Sequence, residues 1–150
     1  MPDASTHVIG TCVAFDYGTQ HIGMSVGDYR IKSSRPLTVI KNQNGTPDWQ
    51  AITSQIEQWQ PTDLVLGWPL TEEGDEQPLC DHIKGFAKRL RQRYALPIHY
   101  ADERFSSMEA QEHIRQMRST GQRNRRSKHT DVDSVAAALI LERWFNHDKL

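Results

Sequence analysis

The sequence is short of cysteine: Cys12 and Cys80 are the only two in 150 residues. Their separation fits neither a disulfide framework nor a thiolate metal knuckle, so both read as reduced thiols, Cys12 in the core. No apolar run approaches the ~20 residues that span a bilayer. No secretory pattern opens the chain, and Met1 to Thr6 reads as a frayed start, so a cytoplasmic protein without membrane contact is expected. Internal repeats and low-complexity linkers are also missing, and the length suits a single domain over residues 1–150. Charge of one sign is lacking overall, since the formal net charge is -1, which excludes a wholly basic nucleic-acid coat.

The charges that are present are unevenly spread. Between His113 and Thr130 there is no acidic residue, while Arg115, Arg118, Arg123, Arg125, Arg126 and Lys128 all fall there. Such a segment is either a solvated helix end or a grip on a phosphate backbone. No aromatic residue interrupts it, so base stacking is not indicated. Glu72, Glu73, Asp75 and Glu76 form an acidic patch around Gly74.

Periodicity supplies the elements. Val8 to Phe15 and Gln20 to Gly27 read as a β-hairpin, with Ile22, Met24 and Val26 alternating, and a shorter strand follows at Leu37 to Ile40. Thr46 reads as the cap of a helix with Pro47 at its first position, and Trp49, Ile52, Ile56 and Trp59 form its buried stripe. Leu64 to Gly67 is a compact parallel-type strand. A second helix carries Leu79, Ile83, Phe86, Leu90 and Tyr94 on one face. Pro97 to Tyr100 is the last strand, and Ser106 with Glu109 makes a capping box for a third helix. Thr130 reads as the cap of a final helix bearing Val132, Val135, Ala136, Leu139 and Ile140. The order predicts a mixed sheet of five strands, an antiparallel meander plus two parallel strands, with helices on both faces.

Three acids recur at element ends. Asp16 closes the first strand, Glu103 follows the last, and Asp133 falls in the first turn of the final helix. A carboxylate at the end of a buried strand needs a cation or a donor to meet it. If the first strand lies parallel to the last two, Asp16 and Glu103 emerge at the carboxyl edge of the sheet, where open α/β sheets place their sites. Such oxygen ligands suit Mg²⁺ or Mn²⁺, and two such ions ~3.5–4 Å apart can drive phosphodiester hydrolysis. Plainer roles also fit: Asp16 bonding turn amides, Glu103 paired with Arg104, Asp133 complementing the helix dipole. Gly18 and Gly23 leave room for a tight turn or for an approaching phosphate. The loop Pro69 to Pro78 is a candidate flap, with Thr71 or amides near Gly74 as its phosphate contacts. The seven histidines are scattered, and only His129 falls near the acids.

Together these motifs resemble the YqgF (RuvX) family. The resemblance rests on Ala14-Phe15-Asp16-Tyr17-Gly18-Thr19 with Ile22-Gly23, on Gly45-Thr46-Pro47-Asp48-Trp49, and on Gly67-Trp68-Pro69-Leu70 with Gly74 and Glu76-Gln77-Pro78-Leu79. Asp102-Glu103-Arg104-Phe105-Ser106 and Val132-Asp133-Ser134 with Ala136-Ala137 complete it, in order over nearly the whole chain. It implies an RNase H-like fold and a cytoplasmic hydrolase of phosphodiester bonds that matures the 5′ end of precursor 16S ribosomal RNA. Asp16, Glu103 and Asp133 would be its catalytic, metal-holding triad, with Mg²⁺ or Mn²⁺, two ions in the fullest form. The partner would be structured RNA, the protein a monomer or homodimer.

Rival readings are a Holliday junction resolvase acting on DNA, and a non-catalytic ribosome-assembly factor that keeps the fold alone. The hairpin also resembles the phosphate turn of actin-like ATPases, but those need a second lobe. Two departures stand out: Asp131 occupies a position where the family often has Lys, and Phe105 one where it commonly has Leu.

Overall fold

The computed structural model describes residues 7–43, 45–70, 73–102 and 129–146, the first three of the last segment by backbone alone. The chain runs β1 (Thr11–Tyr17), β2 (His21–Asp28), β3 (Ser33–Gln43), β4 (Thr46–Pro47), α1 (Trp49–Trp59), β5 (Asp63–Trp68), α2 (Leu79–Tyr94), β6 (Ile98–Asp102) and α3 (His129–Asn146). One sheet forms in the order β4-β3-β2-β1-β5-β6. β1 to β4 pair antiparallel, whereas β1 with β5 and β5 with β6 pair parallel.

The sheet therefore has six strands, not five. The extra one arises because Thr46 and Pro47 do not open a helix. Gly45, at φ 78°, turns the chain back so that they pair with Gln43 and Asn42. Proline is tolerated there because an edge strand needs no donor on its outer side. Asp48 is the actual cap of α1, its carboxylate accepting from the Ala51 amide at 3.2 Å. β3 is also longer than its apolar centre suggests, since a bulge opposite Met24 and Ser25 breaks its alternation. The final helix starts at His129, so Thr130 already lies inside it and Asp133 lies past the opening turn. The expected third helix with Ser106 and Glu109 lies outside the described residues.

Two cores form because β-strand side chains alternate between faces. On one face Val13, Phe15, Ile22, Met24, Leu64 and Leu66 meet Ile52 and Ile56 of α1 and Ile83, Phe86 and Leu90 of α2. Trp49 and Trp59 border this core, as their stripe predicts: Trp49 stacks on Phe86 and carries Arg93 at 4.1 Å from its ring. On the other face Cys12, Ala14, Val65 and Ala101 meet Ile140, Leu141, Trp144 and Phe145 of α3. Each such large side chain, fully buried, contributes roughly 1.5–3 kcal/mol by removal from water.

The second face is built for close approach. Its β2 positions are Gly23, Ser25 and Gly27. A Cβ on Gly23 would collide with the Asp133 carbonyl, and one on Gly27 would come within 2.9 Å of Leu141 Cδ2. Ser25 Oγ donates to the Ala137 carbonyl at 2.8 Å, and Ser34 Oγ to that of Ala138 at 3.0 Å. Contacts of Gly23, Ser25 and Gly27 with successively later residues show that α3 runs along β2 in the same direction. Small residues on both sides make this possible, Ala136, Ala137 and Ala138 all being buried.

Candidate active site at the carboxyl edge

Asp16 is the penultimate residue of β1, and its direct partner across the hairpin is Gly23. Residues opposite one another in an antiparallel pair present the same face, so Asp16 stands on the face that α3 covers. Gly23 is also where the backbone of Asp133 touches the sheet. The β1–β2 register thus brings Asp16 and the Asp133 segment to one place. Both residues are half-buried and engaged in interactions.

The parallel register extends this row. Phe15 lies beside Leu66, and Gly67 beside Ala101, so Asp16 is followed across the sheet by glycine and alanine. The row that Asp16 occupies thus runs through small residues, Gly23 on one side and Gly67 and Ala101 on the other. β1, β5 and β6 all end at this edge, and Glu103 is the next residue after β6. Glu103 itself lies outside the described residues, as do Thr71, Arg115, Arg118, Arg123, Arg125, Arg126 and Lys128, and the side chain of His129.

Gly18 and Gly23 owe their lack of a side chain to the backbone. A Cβ on Gly18 would lie 2.6 Å from the His21 carbonyl oxygen, within the hairpin turn. The space beside Gly23 is taken by α3. Thr19 is exposed at the tip of the same turn. Gly74, at φ 92°, turns the segment after β5, where Leu70 and Glu76 form an antiparallel bridge. That segment is fastened to α2 by Lys84, 3.6 Å from Glu76 and 5.7 Å from the Trp68 ring, and by Cys80 Sγ donating to the Pro69 carbonyl at 3.4 Å.

At the opposite edge the same face holds a second acid that sequence reasoning missed. Asp63 opens β5 and is fully buried. His99 Nε2 donates to its Oδ2 at 2.7 Å, and His7 Nε2 to its Oδ1 at 2.8 Å. The Trp144 ring stacks on His99 at 4.6 Å, tying the network to the end of α3. Burial alone would raise the Asp63 carboxyl, but the donations from His99, His7 and Thr62 prevail and hold it below its ordinary 3.8. No local pattern announces this trio, because its members come from three separate parts of the chain. Among the described residues, no three His, Cys, Asp or Glu side chains form a metal-holding group.

The architecture places the chain among proteins with the RNase H-like fold of RuvC. It superposes on Thermus thermophilus RuvC, solved in complex with a Holliday junction substrate, with a TM-score of 0.55, 14% identity, and coverage of 91% of this chain and 94% of that one. A family model narrows this. Residues 10–147 match RuvX, described as Holliday junction resolvase, and the chain belongs to that family. Relatives from Cronobacter sakazakii (41% identity; 91% of this chain, 96% of theirs) and Edwardsiella ictaluri (42%; 91% and 95%) both bear the name "Putative pre-16S rRNA nuclease". Among the described residues no helix is long and apolar enough to cross a membrane.

Proposed function

We propose that the chain is a divalent-metal-dependent endonuclease that cuts phosphodiester bonds of structured RNA, as in maturing the 5′ end of precursor 16S ribosomal RNA. The observation that carries the reading is the shared register position: Asp16 opposite Gly23, and Gly23 against Asp133. In this reading the carboxylates of Asp16 and Asp133 share that edge, and a cation entering there offsets their repulsion. Membership of the RuvX family supports the same chemistry.

The donor set fits a hard cation. Asp16 and Asp133, completed by Glu103, offer carboxylate oxygens alone, which suit Mg²⁺ or Mn²⁺ over softer ions. A divalent ion bound there supplies charge neutralisation at phosphate and a more acidic water. Asp16, on a strand buried on both sides, gives the rigid arm of the site. Asp133 is positioned by α3, which Ser25 and Ser34 hold by its carbonyls. The basic stretch Arg115 to Lys128 precedes α3 directly and would hold the flanking backbone.

The test is cleavage of matched RNA precursor, single-stranded DNA and a four-way DNA junction, with Mg²⁺ or Mn²⁺. Cutting of the RNA that depends on the metal, and is lost in Asp16→Asn, is the expected result. Cutting of the junction alone would favour the DNA-resolvase reading, which the family description and the RuvC-like fold support. Binding without cleavage of any substrate would leave an assembly factor.

A further inference from the structure

Beside the proposed site lies a polar cavity of about 460 Å³, lined by Thr19, Gln20, His21, Lys41, Asn42 and Gln43. It sits where the β1–β2 turn meets the end of β3. His21 and Lys41 are direct partners across β2 and β3, so they share one face. Alternation makes that the face of Gly23 and Asp16, and Gln43 falls on it too. His21 is two residues from Gly23, about 7 Å along the strand.

Three further properties single this cavity out. Its wall contains no acid and carries one cation, Lys41. The side chains of Thr19, Gln20, His21, Lys41 and Gln43 enter no hydrogen bond or ion pair among the described residues. The backbone beneath them, in contrast, is firmly tied: Asn42 Nδ2 donates to the Gly18 carbonyl at 2.7 Å, and the Asn42 amide to the Gln20 carbonyl at 2.9 Å. The exposed polar side chains of this wall are thus open to an arriving ligand, above a backbone that is held in place.

We propose that this cavity seats the sugar–phosphate backbone of the bound strand, next to the bond that is cut. The proposal rests on the nuclease reading and adds to it a subsite that determines strand position. Lys41 meets a phosphate as a point charge, and Gln20, Gln43 and Thr19 offer further donors. α3 runs along β2, so its amino-terminal turn points toward this same edge, where the helix dipole favours negative charge. No Phe, Tyr or Trp lines the cavity, and its charged and polar side chains suit contacts that set register.

The experiment measures binding of a short single-stranded RNA and its DNA counterpart, in EDTA to prevent cleavage, over a range of salt. In Lys41→Ala/Gln43→Ala, RNA affinity falls about tenfold, the loss of one charge-assisted contact, for every sequence tried. The slope of log affinity against log salt shrinks by ~0.7. Lys41→Arg/Gln43→Ala restores the slope, which a merely unfolded variant would not do. Steady-state cleavage with Mg²⁺ shows the same loss in KM and not in kcat. Affinity and slope equal to those of the parent protein would overturn the subsite, even while Asp16→Asn still abolished cleavage. Failure of the parent protein to cut any nucleic acid would overturn the nuclease reading instead, and an unchanged slope there would overturn the subsite separately.

Discussion

Asp16 and Asp63 stand on one face of one sheet, at opposite ends of adjacent parallel strands. Asp63 is wholly buried, and histidines from two other parts of the chain occupy its two oxygens. Its charge is satisfied by the fold, and Trp144 stacks on one of its two histidine partners, His99. Asp16 is half-buried, with Gly23, Gly67 and Ala101 along its row in place of bulky neighbours. A buried carboxylate surrounded by donors fastens the molecule together, whereas one beside small residues leaves room for something to arrive. The same residue type thus serves cohesion at the amino edge and, in our reading, chemistry at the carboxyl edge.

The sharpest test of this contrast exchanges each acid for its amide. Asp16→Asn should lower metal-dependent cleavage by on the order of 10²-fold or more, the scale of losing a preorganised electrostatic group. Its melting temperature should stay near that of the parent, and Mn²⁺ binding by calorimetry should weaken severely. A variant that melts early but still cuts would invert the comparison.

Asp63→Ala should do the reverse. It removes the acceptor that His99 and the more exposed His7 share, at a cost of roughly 1–3 kcal/mol in urea unfolding, while kcat of the folded fraction is kept. Gly23→Ala should erase the distinction, because its methyl group meets the Asp133 carbonyl and α3 must shift. A stability loss of roughly 1–3 kcal/mol should then come with a fall in cleavage.

The smallest effect expected is one of pH. The Asp63 carboxyl is held below its ordinary 3.8, so it binds fewer protons folded than unfolded. Its stabilisation is therefore full above that ordinary value and fades as pH falls through the folded value. Acid unfolding of the parent should show this extra loss below pH 3.8, and Asp63→Asn should lack it. Equal acid sensitivity in both proteins would remove Asp63 as the cause.

Much of this was legible in the chain. The strand alternation at Ile22, Met24 and Val26, the stripe of α1 and the face of α2 all follow from local periodicity, and all lie in one core or at its border. Asp16 could be singled out because an apolar strand ends on a charge. Less legible was β4, whose Thr46-Pro47 has the composition of a helix start and folds as an edge strand because Gly45 reverses the chain. Least legible was the Asp63 trio, for nothing near Asp63, His7 or His99 in sequence connects them.

The sequence by itself determined most of the element types, the two-faced sheet and the acids that stand near element ends, because periodicity and capping are local properties of neighbouring residues. Only the tertiary structure decided which of the segments carrying those acids come together. Cross-strand register sets Asp16 against Gly23, and the bare backbone of Gly23 admits α3 closely enough to bring Asp133 there. Register and helix approach depend on packing between distant segments, where a one-residue slip would turn Asp16 to the opposite face.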